Sequence, residues 1–290
     1  MPLKRIVVIA NPNSRGVSPP ELQETIRFLS KSVETRLVWT EAPGLATGLA
    51  SEHGSDPDSL IVACGGDGTI FEVLNGLPAR GVLGILPAGT ANVIARELGM
   101  PLNLKDAAKA LLSGTVRKLD TGRFNGKRFL MVAGLDFDAH IASSVPRIPK
   151  KLLGQWAYHL ESLRCYPFYT CPKITVEIDG SETIEGVFAL VANLRRYGGG
   201  LFFAQDARPD DGLLNLVLFK KLSLPYLIKA LWGAWTRRGV DSKVAYRRLG
   251  KAFRIIPDRV VRGQLDGEIL QPFSEATIEV EPAALAMVVP

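Results

Sequence analysis

The chain has 290 residues, of which 47% are hydrophobic and 22% are charged, a composition typical of globular proteins. Its apolar runs are far shorter than the ~20 residues of a membrane-spanning helix, and its first residues do not resemble a signal peptide. Three cysteines without a CxxC pair argue against a disulfide framework and against a zinc site, so we expect a cytoplasmic protein.

A formal charge of +6 and a pI near 9.3 indicate an anionic partner, such as a nucleotide, a nucleic acid or an acidic lipid surface. A merely soluble basic protein is the alternative. The arginine pairs at 195–196, 237–238 and 247–248 lack interleaved aromatic residues, so we expect no nucleic-acid partner. Solvated basic faces and contact with anionic lipid both stay open.

The first 115 or so residues alternate strand-like and helical patterns. The strand-like runs are 4–10, 35–40, 59–65 and 81–87, and the helical patterns start at Pro20, span 44–53 and 69–76, and open again at Thr90. Such alternation predicts a parallel sheet with helices on its faces. Ligands of these sheets bind at the carboxyl ends of the strands.

After Asp120 the turn signals are those of hairpins. The pairs Asn125-Gly126, Asp179-Gly180 and Asp266-Gly267 stand between or beside strand-like runs. We predict an antiparallel β domain over 120–290 with helical insertions near 150–164 and 223–238. The first domain then spans 1–119, and the last few residues of the chain are candidates for packing back on it.

The loop "GGDGT" (65–69) joins a strand to a helix but matches neither the GxxxxGK[ST] nor the GxGxxG pattern. Its glycines let backbone N–H groups approach a phosphate, and the following helix adds a positive dipole end. Thr69 and Glu72 fit a capping box. Asp67 could hold Mg²⁺ through water or take a proton from a hydroxyl. A tight turn with an Asp cap is the alternative.

Two more loops of this kind are expected at the same sheet edge. One follows the fourth strand and contains Pro87, Gly89 and Thr90; the other is "NPNSRG" (11–16), which contains Arg15. Together the three loops predict a site for nucleotide phosphates.

Motifs spread along the chain resemble those of the diacylglycerol kinase catalytic family, which includes sphingosine kinases and bacterial soluble lipid kinases. They are "NPNSRG", "GGDGT", "GTAN…AREL", "GLDFDAHIA" (134–142), "YGGGLFFAQDARPDDGLLNLVLF" (197–219) and "QLDGE" (264–268). The resemblance implies a three-layer α/β nucleotide-binding domain followed by an antiparallel β-sandwich domain, with the active site between them. It also implies ATP- and Mg²⁺-dependent phosphorylation of a hydroxyl on a diacylglycerol- or sphingoid-like lipid.

The resemblance carries roles to matching positions. The nucleotide-binding positions are Asn11, Arg15, Gly65, Gly66, Gly68, Thr69, Gly89, Thr90 and Asn92. The catalytic carboxylates are Asp211, Asp67 and Glu268, and the positions near the metal are Asp67 and Asp120. Asp211 and Asp67 compete for the role of general base. We favour Asp211, with Asp67 nearer Mg²⁺.

Some positions depart from the family pattern. Val93 and Asn215 stand where Asp is common, and Met131, Val132 and Ala133 replace a segment with the usual Asn. These departures weaken the assignment of the substrate but not the assignment to the family. A NAD kinase-like enzyme and a nucleotide-binding regulatory protein with little turnover remain alternatives. The oligomeric state also stays open, with a homodimer as one option.

The segment 222–239 has an apolar stripe at helical spacing that ends in two arginines. The stripe contains Leu224, Leu227, Ile228, Leu231, Trp232 and Trp235. Packing in a core explains it, and so does contact with a membrane interface. The second interpretation suits a lipid kinase that meets its substrate at a membrane, as a peripheral protein on the inner face.

Overall fold

The computed structural model describes residues 4–14, 16, 18–144, 164–198 and 200–290. The chain divides into two compact units, Met1–Leu119 with Ala283–Pro290 and Asp120–Pro282. Apart from residue 164, the helical insertion expected over 150–164 lies outside the described residues. Within the described part, no helix is both long enough and apolar enough to cross a membrane.

The first unit is a parallel α/β layer structure. Its strands are β1 (Arg5–Ala10), β2 (Glu34–Trp39), β3 (Ser59–Gly65) and β4 (Val82–Pro87), in the spatial order β2-β1-β3-β4. Its helices are α1 (Pro19–Ser30), α2 (Leu45–Gly54), α3 (Asp67–Gly76), α4 (Val93–Glu97) and α5 (Leu104–Ser113). Every residue of β3 is buried, as expected of a central strand that is covered on both faces. The predicted parallel sheet is confirmed.

Two predicted helix starts are wrong. Helix α3 begins at Asp67, not Thr69, because Gly66 takes the extended conformation of an N-cap. The Thr69–Glu72 capping box is therefore absent, and a carboxylate oxygen of Glu72 instead accepts from the N–H of Ala46 in α2. Helix α4 begins at Val93, not Thr90, because Asn92 is left-handed with φ 48°.

The second unit consists mainly of antiparallel strands. They begin with β5 (Thr115–Phe124), β6 (Lys127–Phe129), β7 (Val132–Leu135), β8 (Ile174–Ile178), β9 (Glu182–Gly186), β10 (Phe188–Ala192) and β11 (Leu214–Phe219). They continue with β12 (Ala245–Gly250), β13 (Ala252–Pro257), β14 (Gly263–Leu265), β15 (Glu268–Ile269) and β16 (Ala276–Val289). Helices α6 (Phe137–Ser144) and α7 (Leu224–Trp235) and a 3₁₀ turn at Tyr166–Phe168 complete the described part.

One sheet of this unit has the order β12-β11-β10-β7-β14-β15, and every pairing in it is antiparallel. In the other, β13 pairs with β8 and with the first part of β16, and β8 pairs with β9. The last part of β16 belongs to the first unit, where Ala286 lies opposite Val82 of β4. The predicted fold class, α/β followed by antiparallel β, is confirmed.

The three hairpin signals are confirmed. Asn125-Gly126 joins β5 to β6, Asp179-Gly180 joins β8 to β9, and Asp266-Gly267 joins β14 to β15. Both residues of each pair have positive φ. This geometry matches the strand twist and favours Asn, Asp and Gly.

Candidate functional site

The three loops predicted to bind phosphate meet at the carboxyl edge of the parallel sheet. The N–H of Asn11 donates to the Cys64 carbonyl at 3.1 Å, and that of Ala88 donates to the Gly65 carbonyl at 2.8 Å. The N–H of Gly16 donates to the Ala88 carbonyl at 2.9 Å. The loops after β1, β3 and β4 are thus joined backbone to backbone. Arg15, predicted in the first loop, lies outside the described residues.

Gly66 and Gly89 bring the second and third loops into direct backbone contact. A Cβ atom added to Gly66 would lie 3.2 Å from the Cα of Gly89, and one added to Gly89 would overlap the Cα of Gly66. Gly65 has no such room either, because Thr69 packs over it. Only glycine allows this approach, because a Cβ atom at either position would meet the backbone of the other loop.

Asp67 connects the glycine loop to α4. Its Oδ1 accepts from the N–H of Ile94 at 3.0 Å and its Oδ2 from that of Val93 at 3.1 Å. Burial raises the pKa of the Asp67 carboxyl, while the two amide donors and Arg96 oppose that rise. The carboxylate therefore caps a helix that begins after a different strand. This long-range cap was not predicted from the sequence, which suggested a metal-binding or proton-abstracting role for Asp67 and a local Asp cap as the alternative.

Asn92 closes the third loop on itself. Its Oδ1 accepts from the N–H of Gly89 at 2.8 Å, and its Nδ2 donates to the Gly89 carbonyl at 2.9 Å. Thr90 is exposed between these residues, and Gly68 in the second loop is half-buried. Asn11 also uses its side chain locally, because its Oδ1 accepts from the N–H of Asn13. The asparagines thus fix loop shape.

In the second unit, Asp120 holds the loop that carries Asp211. Asp120 is buried, its N–H donates to the Pro209 carbonyl at 2.6 Å, and its Oδ2 accepts from the N–H of Gly212 at 2.7 Å. Asp211 is exposed, and its Oδ1 accepts from the N–H of Leu213 at 3.0 Å. Two residues predicted from separate motifs are therefore neighbours.

Glu268 is exposed on β15, and the residue with the buried carboxylate in the same motif is Asp266. Asp266 accepts from three successive N–H groups, those of Leu130, Met131 and Val132, at 2.7–2.9 Å. It anchors the start of β7. The hairpin signal located this aspartate but did not reveal its partners.

The segment "GLDFDAHIA" places two further carboxylates in the interior. Asp138 accepts from Gln264 Nε2 at 2.8 Å and from the hydroxyl of Tyr197. Burial raises the pKa of Asp136 to about 6, and its Oδ1 accepts from the hydroxyl of Tyr169 at 2.8 Å. Neither Asp136 nor Asp138 was predicted from the sequence to have a role in the site.

Clusters of three or more His, Cys, Asp or Glu side chains able to hold a metal ion are absent from the described residues. Mg²⁺ in phosphoryl-transfer sites usually keeps several waters and binds through one or two carboxylates and the substrate phosphates. The carboxylates predicted near the metal, Asp67 and Asp120, each accept backbone N–H groups as described above.

Comparison with known proteins agrees with this architecture. Residues 5–124 match the family described as the diacylglycerol kinase catalytic domain. Residues 131–289 match the YegS C-terminal NAD kinase beta sandwich-like domain. A diacylglycerol kinase of Bacillus subtilis (strain 168) is 32% identical over 275 residues, covering 92% of this chain and 90% of that relative.

More distant relatives and solved structures agree. A diacylglycerol kinase of Staphylococcus saprophyticus is 29% identical over 231 residues, covering 77% of this chain and 75% of the relative. The crystal structure of a putative diacylglycerol kinase from Bacillus anthracis str. Sterne superposes with a TM-score of 0.85 at 25% identity. The superposition covers 100% of this chain and 98% of the Bacillus anthracis chain.

The fold, the joined glycine loops and these matches define a kinase. The chain belongs to the bacterial diacylglycerol kinase catalytic-domain family.

Proposed function

We propose that this kinase transfers the γ-phosphate of ATP, in a Mg²⁺-dependent reaction, to a hydroxyl of a diacylglycerol- or sphingoid-like lipid at a membrane surface. The proposal that ATP is the phosphate donor rests on one observation, the backbone contact of Gly66 with Gly89 at the carboxyl edge of the parallel sheet. The lipid acceptor is supported by the relatives, which are named diacylglycerol kinase.

The loop after β3 fits a polyphosphate because Gly66 and Gly68 carry no side chain that would cover their backbone N–H groups. Gly65, Gly66, Gly68 and Thr69 lie at the start of α3, whose dipole favours an anion. We propose that Gly89, Thr90, Asn92 and Asn11 also line the nucleotide site, where the hydrogen bonds of Gly89 and Asn11 hold the loops in shape. When bound, Mg²⁺ would neutralise phosphate charge near Asp67 or Asp120.

We assign the proton-abstracting role to Asp211. Its carboxylate is exposed, and among the described residues its Oδ2 accepts no hydrogen bond. Both oxygens of Asp67 already accept backbone N–H groups, which suits a residue that positions the loops. A general base needs a free carboxylate oxygen within hydrogen-bond reach of the substrate hydroxyl. Glu268, exposed on β15, stays a candidate for contact with the acceptor.

The proposal is tested with purified full-length protein and ATP labelled in its γ-phosphate. Acceptors are diacylglycerol and sphingosine in detergent micelles, NAD, and a blank without acceptor. We expect label in a lipid product, and loss of that product when EDTA removes Mg²⁺. Label in NAD, or nucleotide binding without transfer to either lipid, would contradict the proposal.

A further inference from the structure

Helix α7 presents an apolar face to solvent. The residues of this face, named here the α7 stripe, are Leu224, Ile228, Trp232 and Trp235, which are 43%, 53%, 59% and 58% exposed. At 3.6 residues per turn they fall within an arc of about 80°. Large exposed apolar patches rimmed by polar residues are typical of interaction sites.

The helix is attached to its own unit through a different face. Leu227, Ala230 and Ala234 are buried, and the Ala234 carbonyl accepts from the N–H of Phe202 at 2.9 Å. In the α7 stripe, the rings of Trp232 and Trp235 lie 5.5 Å apart at 58°. The sequence pattern therefore combines a buried side with an exposed side. Packing in the core accounts for the buried side, and the exposed side has no packing partner among the described residues of this unit.

Basic residues surround the α7 stripe along the chain. The segment 220–240 contains no Asp or Glu, and its basic residues are Lys220, Lys221, Lys229, Arg237 and Arg238. All of them except Lys220 are exposed. Two precede α7, one lies within it and two follow it, so both ends of the stripe carry positive charge.

We propose that the α7 stripe docks on the surface of an anionic bilayer. Tryptophan suits the interface because its ring is apolar while its N–H can bond to headgroups. The flanking lysines and arginines complement the negative potential of acidic lipids. The inference rests on the proposed function, since a kinase acting on a bilayer lipid must reach its acceptor at the membrane.

A second copy of the chain fits this surface less well. A symmetric dimer pairs one patch with itself, so it would place like charges of both segments near each other. An acidic membrane instead places negative headgroups opposite the positive side chains along the whole stripe, which is about 16 Å long at 1.5 Å per residue. Charge complementarity therefore favours the bilayer.

The test is flotation of the full chain with vesicles, without ATP or acceptor lipid. One set of vesicles is phosphatidylcholine, and the other is equal parts phosphatidylcholine and phosphatidylglycerol. We expect preference for the anionic set and weaker binding as salt rises. Trp232→Ala/Trp235→Ala should lower the apparent partition coefficient about tenfold or more, because binding scales with buried apolar area.

Matched variants isolate the surface. Trp39→Ala removes another exposed tryptophan, 39% accessible on β2, and should bind vesicles like wild type. Lys229→Gln/Arg238→Gln should weaken binding to anionic vesicles only. The control, Lys31→Gln/Lys105→Gln, removes the same amount of charge from exposed positions elsewhere and should leave vesicle binding unchanged. Brominated lipid should quench wild-type tryptophan emission much more than that of the double tryptophan variant.

Three outcomes would overturn the proposal. In the first, Trp232→Ala/Trp235→Ala binds vesicles like wild type. In the second, the wild-type protein is a dimer that this double variant dissociates. In the third, the melting temperature of the double variant lies well below that of Trp39→Ala, which would mean that the stripe is packed. A kinase assay on micellar lipid separates this inference from the proposed function. If the stripe binds vesicles but no lipid is phosphorylated, the docking proposal stands and the proposed function fails. If lipid is phosphorylated but the stripe does not bind vesicles, the proposed function stands and the docking proposal fails.

Discussion

The carboxylate of Asp67 accepts a hydrogen bond from the backbone N–H of Ile94 at 3.0 Å, although the residues are 27 positions apart. Its other oxygen accepts from Val93, so one side chain caps α4 and ties the loop after β3 to the loop after β4. A change at Asp67 should therefore affect both the stability of the unit and the geometry of the phosphate loops.

Asp67→Asn should lower both activity and stability. An amide has one acceptor, so its NH₂ group must face the N–H of Val93 or Ile94, and one donor loses its partner. We expect about 1–3 kcal/mol less unfolding free energy and a loss of turnover on the order of 100-fold. Denaturant melts and initial rates measure the two effects. Asp58→Asn, at an exposed ion pair with Lys4, should change stability by less than about 0.5 kcal/mol.

Asp211→Asn should lower kcat without changing stability or the KM for ATP. The amide oxygen of Asn can still accept from the N–H of Leu213, and the residue is exposed. Loss of a general base typically costs about 10²–10⁴-fold in rate. Titration of Mg²⁺ separates this variant from Asp67→Asn, for which we expect a shifted Mg²⁺ dependence. Identical Mg²⁺ curves for the two variants would show that the roles are not divided.

Asp120→Ala should act through the Asp211 loop. The change removes the acceptor for the N–H of Gly212 and leaves the loop less well fixed. We expect kcat to fall about tenfold or more in the wild-type background, and to change little when Asp211 is already Asn, because residues that act as a unit are not additive. Rate losses that multiply in the double variant would mean that Asp120 acts independently of Asp211.

Local signals in the sequence were sufficient for much of the fold. Asn-Gly and Asp-Gly pairs located hairpins because the two-residue turn requires positive φ, and the alternation of apolar runs gave the parallel sheet. The glycine loops were also visible, since no other residue lets two backbones touch.

The contacts that fix the candidate site were not predictable in this way. Asp67 and Ile94, Asp120 and Gly212, and Asp266 and Leu130 are 27, 92 and 136 positions apart. Nothing in local spacing pairs a carboxylate with a distant backbone N–H. The same limit explains the misplaced start of α3, because the extended conformation of Gly66 accompanies its contact with Gly89 rather than following from a Thr–Glu spacing.

Gly89→Ala should disrupt the nucleotide loops. The added methyl group would overlap the Cα of Gly66 and come 2.8 Å from Asn92 Oδ1, and neither backbone can move without losing the hydrogen bonds that join the loops. We expect a loss of at least about 1–3 kcal/mol of unfolding free energy and little binding of ATP by calorimetry. Gly48→Ala in α2 is the matched control, because nothing lies within 4 Å of its added Cβ. It should stabilise the protein by about 0.5–1 kcal/mol and leave ATP binding unchanged.

Asp136 should make stability depend on pH between about 4 and about 6. Burial raises its pKa from 3.8 to about 6, and the hydroxyl of Tyr169 and the charge of Arg259 only partly oppose that rise. The native state therefore holds this proton more tightly than the unfolded chain. The resulting stability is fully present below pH about 4 and is lost as pH rises through about 6.

Asp136→Asn removes the titration while keeping an oxygen for the Tyr169 hydroxyl. In denaturant melts, the unfolding free energy of this variant relative to wild type should therefore be higher at pH 7 than at pH 4. Tyr169→Phe should move the wild-type transition to higher pH, because it deletes a donor to the carboxylate. Asp56→Asn serves as the control of opposite sign, since backbone and Ser59 hydrogen bonds lower the pKa of Asp56. If the stability difference between Asp136→Asn and wild type is the same at both pH values, Asp136 does not titrate in this window.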